Sequence, residues 1–420
     1  MENAYNLFIN KLFMKADLGK IPLAGTFELT SRCTLDCKMC YIHKGICNKE
    51  AQSREKSTEW WLNLAEECKK RGTLNLLLTG GEPLVRSDFK EIYLKLREMG
   101  FLLNINTNAT LIDDEYIEFF RVYPPQRLNI TLYGLSERTY EELCGDGNAY
   151  EKVKYAIEGL RKNGVNIRFN YTVTPLNKGD LSEARAYANA LGVDMKTVTY
   201  IFEPVRASGE AFRLSPEEAA RLDFENKLKS LTEERLAEIV ASGKKGEQGR
   251  RREFLTDECE GISCRAGLSS FWVTYDGKMT PCGMMTQPSV EIDDFNTAWE
   301  YMNKAREEIK MPRECKDCEY RKNCDICAAV SLAETGDFSK VPEYACKKAK
   351  AYCKQVQNLV DMSRKSRNLA NSNIGFVKYF HFNGGNENEK EQNFQKGHVV
   401  IAFSSNICGN SQHLSSLFEA

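Results

Sequence analysis

Cys33, Cys37 and Cys40 stand in the run Phe27-Glu28-Leu29-Thr30-Ser31-Arg32-Cys33-Thr34-Leu35-Asp36-Cys37-Lys38-Met39-Cys40-Tyr41. An iron–sulfur cube normally takes four thiolates. This trio has no fourth cysteine close by, which predicts a cube with one iron left open for another ligand. Cys47, the nearest candidate, lies across Ile42-His43-Lys44-Gly45-Ile46 and reads as a bystander. A second motif, Leu78-Thr79-Gly80-Gly81-Glu82-Pro83-Leu84, follows an apolar run. Its glycines let backbone come close to a ligand, Glu82 offers a carboxylate to an ammonium group, and Pro83 stiffens the turn. The plainer alternatives are a zinc site short of one ligand for the first motif and an ordinary loop for the second.

A further set of cysteines falls between Cys259 and Cys346: Cys259, Cys264, Cys282, Cys315, Cys318, Cys324, Cys327 and Cys346. Two fully ligated cubes need that many thiolates. Paired Cys-x2-Cys units are also zinc spacing, so a ribbon or treble-clef zinc site stays open here. Thr274-Tyr275-Asp276-Gly277-Lys278 reads as a hairpin with an Asp-Gly turn.

These motifs must be carried by alternating elements. Apolar runs at Thr26–Thr30, Leu74–Thr79, Phe101–Thr107, Leu128–Leu132, Val165–Val173 and Thr197–Phe202 predict strands. Helical patterns lie between them: Thr58–Arg71 ending at Gly72, Asp88–Met99 capped by Ser87, Asp113–Arg121, Tyr150–Lys162 and Leu181–Leu191. This is the βαβ rhythm of a parallel sheet, with too few units to close an eight-fold barrel. Ligands of such sheets sit at the carboxyl ends of strands, where both motifs fall. Ser215-Pro216-Glu217-Glu218 opens a helix as a capping box, and Gly243–Gly249 reads as a solvated linker. The apolar patches Ile374–Phe382 and Val399–Phe403 have no evident link to the chemistry.

The chain has 420 residues, with 58 Lys and Arg against 59 Asp and Glu. That balance excludes a general electrostatic nucleic-acid binder. No stretch reaches the roughly 18 apolar residues of a membrane span, and the N-terminus carries no signal-peptide pattern. A cytoplasmic protein without membrane or nucleic-acid partners is expected, and its sixteen cysteines then point to metal rather than disulfides.

The trio spacing resembles the signature of radical S-adenosylmethionine enzymes, although Met39 stands where that family usually has an aromatic residue. The resemblance implies an open six-stranded (β/α)6 partial TIM barrel over residues 1–205. It further implies reductive cleavage of S-adenosylmethionine at the open iron, giving methionine and a hydrogen-abstracting 5′-deoxyadenosyl radical. Gly80, Gly81, Glu82, Pro83, Asn106, Asn108 and Asn170 would then hold the cofactor. Tyr133 replaces an aspartate often met after the fourth strand.

The later cysteines resemble the SPASM auxiliary-cluster domain, a small Cys-rich unit with a β-hairpin, here 258–355. A charged helical linker (206–257) precedes it and a polar tail (356–420) follows. The resemblance implies Cys259, Cys264, Cys282 and Cys327 around one auxiliary cube, and Cys315, Cys318, Cys324 and Cys346 around the other. That makes three [4Fe-4S] clusters with the trio. Two residues separate Cys324 and Cys327, where the family more often has three, and Cys353 is the substitute ligand that departure suggests.

Enzymes with this pair of domains mostly modify peptides or proteins and draw electrons from a flavodoxin or ferredoxin. The expected function is therefore hydrogen abstraction from a peptide or protein, installing a post-translational modification. Heme-pathway enzymes share the architecture, so a small molecule or tetrapyrrole is the runner-up. Sulfatase maturation fits less well, because Gly283 occupies the place of the aspartate base after Cys282. A non-catalytic zinc-binding protein is the reading from another class. The short run before the first strand leaves no leader-binding domain to expect. Cys144, after the fourth strand, is a candidate thiol hydrogen-atom donor.

Overall fold

The computed structural model describes residues 2–370 apart from 43, 208, 230 and 232–261. Cys259, the Gly243–Gly249 linker and both C-terminal apolar patches lie outside the described residues. Residues 1–357 make up one compact unit and 358–420 another.

Six parallel strands follow the order of the chain: β1 (Ala24–Thr30), β2 (Asn75–Gly80), β3 (Leu102–Thr107), β4 (Arg127–Thr131), β5 (Ile167–Thr172) and β6 (Met195–Val198). Helices cross between them: α3 (Thr58–Lys70), α4 (Phe89–Glu98), α5 (Asp114–Val122), α6 (Glu137–Cys144), α7 (Ala149–Lys162) and α8 (Leu181–Ala190). They follow α1 (Glu2–Gly19) and a short α2 (Lys49–Arg54). The sheet stays open, as a partial TIM barrel does. Five of its predicted strands are present close to their expected bounds; the sixth, expected over Thr197–Phe202, runs instead over Met195–Val198, and α1 and α6 had not been expected. Asp88, not Ser87, stands at the N-cap of α4, and its carboxylate serves Arg86 and Thr58.

Strand side chains alternate between faces, and the alternation explains the fold. Phe27, Leu29, Leu76, Leu78, Leu103, Ile105, Leu128, Ile130 and Phe169 point outward into a core shared with Trp61, Ile92, Phe120, Ile157 and Leu160 of the helices. The inner face is polar. Thr26, Leu77, Asn104 and Arg127 share one cross-strand register. Above them Glu28 faces Thr79, Asn106 faces Asn129, and Asn129 faces Arg168.

The expected hairpin is present as β7 (Ser270–Val273) and β8 (Lys278–Thr280), turning at Gly277 with φ 91°. It does not stand apart from the barrel: β7 pairs parallel to β1, and β9 (Val290–Glu291) extends the same sheet. Beyond it come α10 (Phe295–Glu308), α11 (Ala328–Thr335) and α12 (Glu343–Ala370). Ser215 caps α9 (Pro216–Lys229) through Glu218 N–H at 3.2 Å, as its capping box predicts.

Candidate functional site

The cysteine loop leaves the carboxyl end of β1 and is fixed before any metal is considered. Asp36 N–H donates to Cys144 O at 2.9 Å, and Lys38 N–H to Leu143 O at 3.0 Å, so the end of α6 holds the loop's backbone. Gly81 N–H reaches Thr30 O at 2.9 Å and Glu82 N–H reaches Arg32 O at 2.8 Å. A Cβ on Gly81 would lie 2.5 Å from Arg32 O, and one on Gly80 would strike Thr30 O. The glycines expected to admit a ligand therefore first admit the cysteine loop.

The sulfurs are surrounded by donors. Asn108 Nδ2 donates to Cys33 Sγ at 3.4 Å and to Thr34 Oγ1 at 3.0 Å. The Tyr133 hydroxyl donates to the Cys37 sulfur, and the Cys37 and Cys144 thiols are hydrogen-bond partners. Tyr133 thus has a role its sequence position did not reveal. Burial pushes the Cys33 thiol up to about 12, with the nearby Glu82, Cys37 and Cys40 adding to it. Cys37 is raised by its bond to Cys144 and by burial. Crowded thiols that resist ionising alone are the setting in which metal binding releases protons. Among the described residues, no three His, Cys, Asp or Glu side chains converge on a single ion.

Glu82 is fully buried at the carboxyl end of β2. Oε1 accepts from Thr107 Oγ1 (2.8 Å) and Leu84 N–H (3.2 Å), and Oε2 accepts from Asn108 N–H (2.6 Å). A carboxylate has about four acceptor positions, so one position on Oε2 remains for an ammonium donor. Burial raises Glu82 to about 7, against those three bonds. Pro83 begins a helical turn over Pro83–Val85. Asn106 accepts from Asn129 Nδ2 at 2.9 Å.

The inner wall holds the strongest sign of a missing occupant. Asn104 Oδ1, Arg127 Nε, Asn129 Oδ1, Arg168 Nε and Asn170 Oδ1 are all buried without a hydrogen-bond partner. Native proteins rarely leave such atoms unpaired, and these all sit on one face of β3, β4 and β5. They suit the hydroxyls and amines of a bound nucleoside and substrate. Asn170 was expected from the sequence; Asn104, Arg127, Asn129 and Arg168 were not. The alternation in Arg127-Leu128-Asn129 and Arg168-Phe169-Asn170 was the available signal.

Further down this wall a cavity of about 420 Å³ is lined by Thr26, Leu77, Asn104, Trp272, Cys264 and Cys282, among others. Nearby, the buried Glu28 carboxylate takes both Arg206 guanidinium nitrogens (2.6 and 2.5 Å) and Trp272 Nε1 (3.0 Å). Glu203 pairs with Arg213 at 2.8 Å. Glu203 and Arg206, both past the end of β6, are thus engaged with the protein itself.

Cys144 belongs elsewhere than expected. It is fully buried in the core beneath the cysteine loop, bonded to Cys37, rather than presented to the bore as a hydrogen-atom donor would need. The later cysteines form two groups. Cys264, Cys282 and Cys327 feel one another's charge, and burial is the main cause that pushes Cys282 up to about 11. Cys315, Cys318, Cys324 and Cys346 line one small cavity with Arg321 and Lys350. Arg321 Nε and Nη1 are buried there without partners, which suits a negatively charged cube. Cys353 takes Asn323 Nδ2 at 3.4 Å.

Residues 27–188 match the Radical SAM superfamily. The chain is 28% identical to an AdoMet-dependent heme synthase of Methanosarcina barkeri, over 77% of this chain and 96% of that protein. It is 22% identical to the sporulation killing factor maturation protein SkfB of Bacillus subtilis, over 75% of this chain and 71% of that one. Its fold is similar to Streptococcus suis SuiB bound to precursor peptide SuiA, with a TM-score of 0.58 at 17% identity, covering 80% of this chain and 79% of that one. The chain thus carries a Radical SAM domain over residues 27–188. That sets aside a non-catalytic zinc-binding role. No helix among the described residues is long and apolar enough to cross a membrane.

Proposed function

We propose that this enzyme removes hydrogen from a carbon of a peptide or protein substrate and thereby installs a post-translational modification. The observation that carries the reading is the polar inner wall, whose unpartnered amide and guanidinium atoms run from the cysteine loop toward the cavity at Cys264 and Cys282. Cys33, Cys37 and Cys40 would hold a [4Fe-4S] cube that supplies the electron for reductive cleavage of S-adenosylmethionine. Glu82 and the backbone turn at Gly80, Gly81 and Pro83 would orient the methionine amine, and Asn106 and Asn170 the nucleoside. Asn108 acts differently in this reading: its amide supports the Cys33 sulfur and its backbone N–H fixes Glu82.

Two auxiliary cubes fit the other thiol groups. Cys264, Cys282 and Cys327, with Cys259, would hold the one beside the cavity, and Cys315, Cys318, Cys324 and Cys346 the other. A flavodoxin or ferredoxin would deliver the electron in the cytoplasm. The peptide class is supported by a relative named as the maturation protein of sporulation killing factor and by a fold neighbour solved with a precursor peptide. A sulfatase-maturase role has less support. An added Cβ at Gly283 would lie 2.7 Å from the Trp272 ring, leaving no room for an aspartate.

A tetrapyrrole substrate is the second reading, favoured by the relative named as a heme synthase. Anaerobic incubation of the reduced holoenzyme with candidate precursor peptides and with porphyrins, followed by mass spectrometry, decides between them. A mass change in a peptide supports the first reading; a change confined to the porphyrin replaces it with the second.

A further inference from the structure

Several buried or half-buried arginines in this protein meet a carboxylate. Arg32 pairs with Glu55 at 2.7 Å, Arg86 with Asp88 at 2.6 Å, Arg206 with Glu28 at 2.5 Å and Arg213 with Glu203 at 2.8 Å. Arg127 and Arg168 are the contrast. Both project from the inner face, on the adjacent strands β4 and β5, with Asn129 directly opposite Arg168. The Nε of each is buried without a partner, and neither forms an ion pair among the described residues. The two repel each other: burial first, then the charge of Arg127, pulls Arg168 below the ordinary arginine range. Asp194, exposed at the start of β6, is the one carboxylate that offsets this, and it makes no bond to Arg168.

Placing like charges side by side on a partly dry wall costs stability, and water alone does not explain why the sequence puts them there. An anion between them would repay it. Guanidinium forks match the geometry of carboxylates, which they bind through paired N–H donors. Asn104, the direct cross-strand neighbour of Arg127, lines the cavity of about 420 Å³. Arg127 thus stands one strand across from the Asn104 edge of that cavity, with Arg168 one strand further along the wall that descends from the cysteine loop.

We propose that Arg127 and Arg168 form a carboxylate-binding subsite that grips an acidic group of the substrate and sets which carbon faces the cofactor. The inference rests on the reading of this bore as the substrate site and narrows it to carboxylate-bearing substrates. Acidic side chains of a peptide and the propionates of a porphyrin share that chemistry.

The test measures binding to the reconstituted holoenzyme with S-adenosylmethionine present. One arm uses a fluorescein-labelled peptide containing paired glutamates, read by polarisation, against the same peptide with glutamines. The other uses a propionate-bearing porphyrin, read by absorbance, against its amide derivative. In the arm that matches the natural substrate, the acid binds at least about tenfold more tightly than its amide. Arg127→Gln or Arg168→Gln removes that preference, and Arg168→Lys restores part of it, as the loss of a charge-assisted pair predicts. Thermal melting and S-adenosylmethionine affinity of each variant separate a lost subsite from a lost fold.

Equal binding of acid and amide in both arms, or an unchanged acid preference in folded Arg168→Gln protein, overturns the proposal. Deoxyadenosine release by the unaltered holoenzyme tests the parent reading on its own. If release occurs but acid and amide bind alike, only the subsite falls. If the acid preference stands without release, only the parent reading falls.

Discussion

The two cysteine-bearing regions of this enzyme are built on opposite principles. The N-terminal trio hangs from a buried parallel sheet. Its loop is tied to β2 by the Gly81 and Glu82 N–H groups and to α6 by the carbonyls of Leu143 and Cys144, and its sulfurs meet Asn108 and Tyr133. The C-terminal groups come mostly from loops, short turns and helix ends, with Cys346 in the first turn of α12. Cys264 is exposed, and Cys315 and Cys324 sit at the ends of turns over Arg313–Cys315 and Arg321–Asn323. A site carried by a sheet is shaped before its metal arrives. A site gathered from loops owes its shape to the metal, whose binding energy then becomes folding energy.

The largest expected effect follows from that contrast. Removing iron with a chelator should expose the backbone amides of residues 311–330 to hydrogen exchange while β1 to β5 stay protected. Equal loss of protection in both regions would erase the distinction. Cys346→Ser should correspondingly lose about four irons per chain in elemental analysis of anaerobically purified protein, with the barrel still folded.

Next in size is Gly81→Ala. The added methyl meets the Ser31 and Arg32 carbonyls at 2.6 and 2.5 Å, and backbone cannot swing aside as a side chain does. A loss of about 1–3 kcal/mol in chemical denaturation is expected, together with weaker iron retention at the trio. A neutral result would mean the cysteine loop is not held by the turn.

A smaller effect concerns the sulfur donors. Tyr133→Phe removes an O–H directed at Cys37, and hydrogen bonds to cluster sulfurs favour the more negative, reduced state. The variant's N-terminal cluster should therefore have a more negative midpoint potential in an EPR-monitored titration, while the auxiliary signals stay in place. An unchanged potential would reduce Tyr133 to packing.

The smallest is a pH effect. Burial lifts Glu82 from 4.5 to about 7 in the folded chain. Its contribution to stability is thus full below about 4.5 and fades as pH rises through about 7. Glu82→Gln, which cannot ionise, should flatten the decline in urea midpoint between about pH 4.5 and pH 7. A decline as steep as in the unaltered protein would place the titration elsewhere.

Much of the barrel could be read from the sequence because alternation is local: each strand declares which face is apolar within five or six residues. The addition of β7 to β1 was hidden, since it joins Thr26 to Trp272 across most of the chain. Helix α6 was missed because it is one short segment with few apolar positions. At the site, residue types and spacing announced Cys33, Cys37, Cys40 and Glu82. They did not announce that Gly80 and Gly81 would serve the cysteine loop, or that Cys144 would face Cys37 instead of the bore. Those facts depend on how neighbouring loops pack. Arg127 and Arg168 were within reach, on the polar phase of their strands, but only the fold reveals that the two lack carboxylates.

One measurement bears most directly on the whole account: release of 5′-deoxyadenosine from S-adenosylmethionine by the anaerobically reduced enzyme in which Cys33, Cys37 and Cys40 are all alanine. The account predicts release at background level, with iron still bound at the C-terminal cysteines. Release at the rate of the unaltered enzyme would contradict it.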